Sequence, residues 1–383
     1  MNGLTLSKRF EFGAAHRFYR TDWPHEKNIQ TFGKNAGGVF GHGHNYEAYF
    51  ILSGDIQNDG MVIELSKVKT HILDSVLSKY DHFFLNQDTA PFNQGIQPSV
   101  VNIAKHLLSD AILAFKDWPL TVTACHLIEK PSLEATVYAD GHQELHYFLT
   151  LPSIPTRLMY QNEWASFSHP IQLRLTTEHK DDPLLETFVH HQFIQEKLQE
   201  WQTNTHAVLA NTLPEFFPSL ETWAYTWWAP LKTIVSDLKR IKLTSFNEQS
   251  CEYSGQSIVL RSRIEHLLSG HRLCDPTHSP EKNVDTFGRC SRHHGHTFKV
   301  EISTEYAIQT LDEIHLNQIY TPEIDTLKKE WSYHSLSEEC QEFKHQLATC
   351  ENILLTLKKR LNTLPLARLR IWETQNNRFA WRK

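Results

Sequence analysis

The chain has 383 residues, a net charge of −6, 40% hydrophobic and 21% charged residues, which is the composition of a globular protein long enough for two or three domains. That charge gives no attraction to nucleic acid or an acidic membrane surface, and no apolar run reaches the roughly 18 residues a bilayer span needs. The opening MNGLTLSKRF lacks the apolar core of a signal peptide, and six scattered cysteines read as free thiols, so a cytoplasmic location is expected.

In chain order, KRFEFGAAHRF and NYEAYFILSG alternate with the period of half-buried strands. MVIELSKVKTHILDSVLSKY and PSVVNIAKHLLSDAILAF then space apolar residues as helices do, and TVTACHLIE and ATVYAD return to strand. IQLRLTTEH in the middle and FKVEISTEY later read as strands again. The order strand, strand, helix, helix, strand, strand predicts an α+β fold, an antiparallel sheet covered on one face by two helices.

The stronger signal is internal repetition. HRFYRTDWPHEKNIQTFGKN begins at His16 and HRLCDPTHSPEKNVDTFGRC at His271. Asn28 and Asn283 each lie 12 residues past the histidine, and Gly33 and Gly288 each lie 17 past it. Each segment runs on to His-Gly-His, His42 and His44 in one and His294 and His296 in the other. Forty residues further stand His82 and His334, and the closing strands carry Glu129 and Glu373. Residues 1–145 and 257–383 are therefore expected to be homologous units. Between them, Thr205-His206 parallels Asp81-His82, Pro218-Ser219 parallels Pro98-Ser99, and Ser245 falls where the glutamates stand. Residues 150–255 read as a third, degenerate copy lacking the His-Gly-His loop, or as a helical linker domain of unrelated origin.

His-Gly-His on a strand points two imidazoles to one face, and a histidine from the neighbouring strand completes a three-ligand zinc site. His16, His42 and His44 form one such set, and His271, His294 and His296 the other. Three nitrogens leave a fourth position open, as catalytic zinc sites do. Cys290, four residues before His294, is a candidate base or nucleophile if zinc and basic side chains lower its pKa; the matching residue in the first copy is Asn35. Asp81-His82 is a candidate proton-handling pair, with Tyr333-His334 as its later counterpart. Glu129 and Glu373, on apolar strands, are candidates for gripping the N–H edge of a heterocycle.

With His…Phe-Gly-x-Cys…His-Gly-His, Asp-His, the turn at Thr349-Cys350-Glu351-Asn352 and a terminal Glu-Thr, the chain resembles the 6-pyruvoyl- and 6-carboxy-tetrahydropterin synthase family. The resemblance implies a tunnelling fold, whose ββααββ units close a ring around a central barrel, with two rings stacking. It implies Zn2+ on the three histidines and 7,8-dihydroneopterin triphosphate as substrate. It further implies Cys290 as base, Asp81, His82 and His334 as catalytic helpers, and Glu373, Glu129 and Thr349 as pterin-binding residues. The product is a 6-pyruvoyl- or a 6-carboxy-tetrahydropterin, the latter on the way to queuosine. Here the motif cysteine and the Asp-His pair lie in different copies. Three fused units closing a pseudo-trimeric ring would bring them together in one composite site if the ring runs with the hand that joins the third copy to the first; with the opposite hand Cys290 meets Thr205-His206 and no site is complete. Two such rings would stack as a homodimer. A non-catalytic pterin- or purine-binding ring, or a scaffold, is the alternative.

Overall fold

Every main strand of the chain belongs to one antiparallel sheet that closes on itself. The structure, a computed structural model, describes residues 3–160, 163–179, 185–211, 218–308 and 322–383. The N-terminal segment contributes β1 (Leu4–His16), helix α1 (His25–Gly37), β2 (His42–Ser53), α2 (Leu65–Ser75), the short β3 (Phe83–Phe84) and α3 (Leu85–Asp88), then α4 (Val100–Ala114), β4 (Thr121–Lys130) and β5 (Leu133–Tyr138). The middle contributes β6 (Gln143–Tyr160), β7 (Glu163–Glu178), α5 (Leu185–Asn211), α6 (Leu220–Ile234), β8 (Leu238–Thr244) and β9 (Ser250–Tyr253). The C-terminal segment contributes β10 (Ile258–His271), α7 (Pro280–Phe287), β11 (His294–Ala307), α8 (Pro322–Trp331), α9 (Cys350–Arg360), β12 (Leu366–Thr374) and β13 (Asn377–Arg382). The middle shares the strand-strand-helix-helix-strand-strand succession of its neighbours but lacks the helix, α1 or α7, that each carries between its first two strands.

Strands follow one another around the sheet from β13 back to β1, and β1 pairs with β13 from Leu4↔Trp381 to Lys8↔Asn377. The short β3 sits on the outer edge of β1, leaving a barrel of twelve strands. The segments join at β5–β6 and β9–β10. Residue 145, the expected end of the first unit, lies inside β6; the turn between strands comes earlier, at 139–142.

Alternation along the strands gives the barrel two unlike faces. On β11, Phe298, Val300 and Ile302 enter the apolar core, while Glu301 and Ser303 point the other way. On β12, Leu369 and Ile371 alternate with Arg368 and Arg370, and on β8, Ile241 and Leu243 alternate with Arg240 and Lys242. The apolar face is outside, under the helices, and the lumen is polar. Helix α4 presents Val100, Ile103, Ala104, Leu107 and Ala111 to the sheet, α6 presents Leu220, Trp223, Ala224, Trp227 and Leu231, and α9 presents Ile353, Leu354 and Leu357. Their N-caps also match: Ser99, Ser219 and Thr349 accept from the backbone N–H three residues on. Each such cap is worth about 1 kcal/mol.

The repeated Glu-Lys-Asn is a staple beside the metal-binding strands. Asn28 and Asn283 are buried, and each side chain makes the same set of backbone contacts. Asn28 accepts from Arg20 N and donates to the carbonyls of Arg20, Trp23 and Pro24. Asn283 accepts from Asp275 N and donates to those of Asp275, His278 and Ser279. Gly33 and Gly288 both take positive φ, 77° and 55°, with open space around them, so the backbone angle is what requires glycine.

Candidate metal centres

The two histidine sets lie where a long hairpin runs past the rim of the barrel. His16 pairs with His42 across β1–β2, and His271 with His294 across β10–β11. With His44 and His296 two residues on, each trio offers nitrogens that all lie within 4.8 Å of one another. The first histidine of each trio is oriented identically. Nδ1 of His16 stands 2.7 Å from the carbonyl of Pro98, and Nδ1 of His271 stands 2.9 Å from that of Ala348, each just ahead of a capped helix. A carbonyl partner fixes Nδ1 as the protonated nitrogen and leaves Nε2 with its lone pair free.

Those free nitrogens are buried without hydrogen-bond partners: Nε2 of His16, His44, His271 and His296, and Nδ1 of His42. Burial pushes His16 down to about 3 and His44 and His271 down to about 4, so the imidazoles are neutral, as metal ligation requires. Orphaned, neutral, converging nitrogens fit a metal ion in both places. The two trios differ in detail: Nδ1 of His294 is tied to the carbonyl of Arg292 at 2.7 Å, whereas Nδ1 of His42 is not.

Around the C-terminal trio, Glu373 at the end of β12 brings a carboxylate oxygen to 3.8 Å from Nε2 of His271 and 3.7 Å from that of His296. Its other oxygen accepts from Asn377 at 3.4 Å. Cys290 is half-buried nearby. Burial raises its thiol first, and the carboxylates of Glu373 and Glu64 raise it further. Its charged neighbours are acids rather than the basic side chains expected from the sequence, so only a cation at the histidines would lower it.

Two neighbours of this pocket come from the opposite end of the chain. The hydroxyl of Thr349 donates to the carbonyl of Gly60 at 2.7 Å, and Glu351 accepts from the N–H of Val62 at 2.9 Å. The hydroxyl of Thr349 thus donates to this bridge and accepts in its helix cap. Glu351 is 2% exposed, and burial pushes its carboxyl up to about 7. Sequence reading placed Glu351 in a turn but gave it no partner; a buried acid beside a capped helix was the available signal.

Asp81 and His82 sit on the outer edge of β1. Nδ1 of His82 is 3.0 Å from Oδ1 of Asp81, which also accepts from Gly13 N at 2.9 Å. His82 donates its backbone N–H to Gly13 O at 2.6 Å and holds φ at 65°, a costly angle for a β-branchless but bulky residue. The C-terminal counterpart of this strained position is Tyr333, which has φ 65° and donates to Leu268 O at 2.6 Å. His334 lies one residue further, with Nδ1 on Ser332 O, so the spacing-based pairing of His82 with His334 is off by one. Thr205-His206 also departs from expectation: both fall within α5 rather than after a helix, and the His206 side chain lies outside the described residues.

In the N-terminal trio's surroundings, Glu129 is 9% exposed with one oxygen unpartnered, and burial pushes it up to about 7. Tyr46, buried with its hydroxyl unpartnered, replaces Phe298. Ser245, in the middle segment, spends its hydroxyl on Asn247 and the carbonyl of Gln249 within its own turn.

A closed antiparallel barrel with helices outside and a histidine trio at the rim of two of its hairpins defines a tunnelling-fold protein with two histidine clusters that could each hold a metal ion. The family model for 6-pyruvoyl tetrahydropterin synthase matches residues 5–140 and again 261–383, and the chain belongs to that family as a tandem fusion. It is similar to 6-pyruvoyl tetrahydrobiopterin synthase of Homo sapiens, 31% identical over 103 residues, 27% of this chain and 70% of the relative. The Dictyostelium discoideum enzyme of the same name is 28% identical over 116 residues, 30% of this chain and 83% of the relative. Among solved structures, the 6-pyruvoyl tetrahydropterin synthase of Caenorhabditis elegans aligns with 35% of this chain and 94% of its own, at 27% identity and a TM-score of 0.32. Among the described residues no helix is long and apolar enough to cross a membrane.

Proposed function

We propose that the chain is a zinc-dependent lyase acting on 7,8-dihydroneopterin triphosphate at one composite site, built on the C-terminal trio and completed by the N-terminal segment. The observation that carries this is the bridge from Thr349 and Glu351 to Gly60 and Val62, with Glu64 as an electrostatic neighbour of Cys290. The loop before α2 thereby walls the pocket that holds Cys290 and Glu373. The closure of β13 on β1 makes the C-terminal and N-terminal segments neighbours in the ring, which supports a site shared between them, with Asp81-His82 as its proton-handling pair. In this reading the middle segment is a third, degenerate unit of the ring, supported by its matching element order and its Ser219 cap.

His271, His294 and His296 would hold the zinc ion, which supplies Lewis-acid polarisation of the substrate's side-chain oxygens. Glu373, with an oxygen directed at the pocket, accepts from the ring N–H and amine of the pterin. Cys290 takes the proton from the substrate carbon, and the Asp81-His82 pair relays a proton during elimination of triphosphate. The His16, His42 and His44 site, whose copy carries Asn35 at the position of the thiol, binds metal without this step. The protein acts in the cytoplasm, as a face-to-face homodimer of rings.

Incubating the zinc-loaded chain with dihydroneopterin triphosphate and identifying products by mass spectrometry tests the reading. A 6-pyruvoyl or 6-carboxy product supports it and names the branch, the latter placing the chain in queuosine synthesis. Unchanged substrate that stays bound supports instead a non-catalytic pterin-binding ring, which the acidic surroundings of Cys290 favour.

A further inference from the structure

The barrel lumen contains a cavity of about 610 Å3, lined by residues of eleven of the twelve barrel strands and distinct from both histidine trios. Its wall is charged. Arg174, Arg240, Lys242, Arg368, Arg370 and Arg378 line it. The carboxylates are fewer. Glu144 takes Arg240 in a two-pronged pair at 2.6 and 2.7 Å. Glu252 takes Arg368 at 2.6 Å and lies 3.6 Å from Lys242. Glu301 takes Arg370 at 2.8 Å and also meets Lys242 and Arg368 at 3.2 and 3.3 Å. Glu134 is occupied by His126 at 3.2 Å. At the rim, Asp140 and Glu305 balance Arg382 and Lys383.

Six deep cations therefore meet four carboxylates, and two arginines are left over. Among the described residues Arg378 makes no side-chain hydrogen bond and no ion pair within 4.0 Å, and the charge of Glu301 reaches it only from further away. Arg174 lies 5.5 Å from the centre of the Phe148 ring, and its Nε has no partner. Burial, and then the charge of Arg370, push Arg378 down to about 10. The histidines between them offer no counter-charge: burial holds His126 and His146 neutral, and Thr136 links the two rings at 2.8 Å on either side. A buried cation without a partner is costly, and a fold retains one at little benefit unless something neutralises it. Arginine forks lining a polar cavity are the donor geometry that suits phosphate oxygens.

We propose that the lumen is a binding chamber for a small phosphate-type oxyanion, held by Arg174 and Arg378 and framed by the paired arginines around them. This assignment does not rest on the lyase reading, because no lumen residue belongs to either metal centre.

The test is calorimetric titration of the full chain with sodium tripolyphosphate and, in a second arm, ATP. Binding of tripolyphosphate alone identifies a free inorganic anion; binding of both identifies the phosphate group as the determinant. Since polyphosphate also chelates metal ions, the titration is repeated on H16A/H271A, which should keep the lumen site. Arg378→Met should weaken binding at least tenfold, Arg378→Lys less, and Arg174→Met should weaken it as well. In phosphate-free buffer Arg378→Met should melt higher than the parent, because it removes an unpaired buried charge. No saturable binding of either anion, binding unchanged in both methionine variants, or binding lost only in H16A/H271A would overturn the assignment.

Discussion

The two histidine trios were built by the same backbone and then surrounded differently. Both sit at the end of a β-hairpin, both orient their first histidine with a carbonyl ahead of a capped helix, and both are flanked by the same asparagine staple. What differs is everything a substrate would touch. The C-terminal trio has a thiol, a partly exposed glutamate and a wall supplied by the N-terminal segment. The N-terminal copy has an exposed Asn35 at the thiol's sequence position, and beside its trio a buried Glu129 and the phenol of Tyr46. In the proposed reading metal affinity would depend on the first set of features and turnover on the second, so the two properties would separate in one molecule.

The largest expected effect divides the sites by chemistry. Cys290→Ala should lower kcat by about 10² to 10⁴, the usual contribution of a positioned acid or base, with bound metal unchanged. Asn35→Ala should leave kcat unaltered. Product formation alongside elemental analysis checks both, and equal losses in the two variants would refute the division of labour.

Next in size is metal content. His271→Ala and His16→Ala should each reduce bound metal from two ions per chain to one, but only His271→Ala should stop turnover. Loss of activity in His16→Ala with one ion still bound would make the N-terminal trio the working site.

Much of this pattern was legible in the sequence, because ligands two apart on a strand and a glycine at a positive φ leave local signatures. The trios, the asparagine staple, the Gly33 and Gly288 turns and the alternating strands are all of that kind. Features that depend on which strands meet were not. The Tyr333 position defeated a spacing count because loop lengths before it differ between copies, and His206 fell inside a helix that runs longer than its neighbours'. The bond from Glu351 to Val62 joins residues at opposite ends of the chain, which only barrel closure reveals. The lumen charges read in sequence as ordinary polar positions of amphipathic strands.

The bridge between the first and last segments gives the next prediction. Glu351→Ala should cost roughly 1–3 kcal/mol by stranding the buried N–H of Val62, and chemical denaturation measures it. The pH dependence has a definite sign. The folded carboxyl titrates near 7, above its ordinary 4.5, so the native state holds the extra proton between these values. Its contribution to stability is therefore full below about pH 4.5 and falls as pH rises through 7. Glu351→Gln should flatten that slope while keeping an acceptor for Val62, and a variant with the same slope as the parent would place the titration elsewhere.

The smallest effect compares the caps. Ser99→Ala and Ser219→Ala each remove one cap bond, at a cost of about 0.5–2 kcal/mol. Thr349→Ala removes a cap and also the bond to Gly60 that crosses the closing seam of the barrel. It should therefore cost more than either serine, with the excess vanishing in Thr349→Ser, which retains both bonds. If the three alanine variants unfold at the same denaturant concentration, the seam contributes nothing beyond its strands. The wall that distinguishes the C-terminal pocket would then be held by Glu351 and the β1–β13 pairing alone.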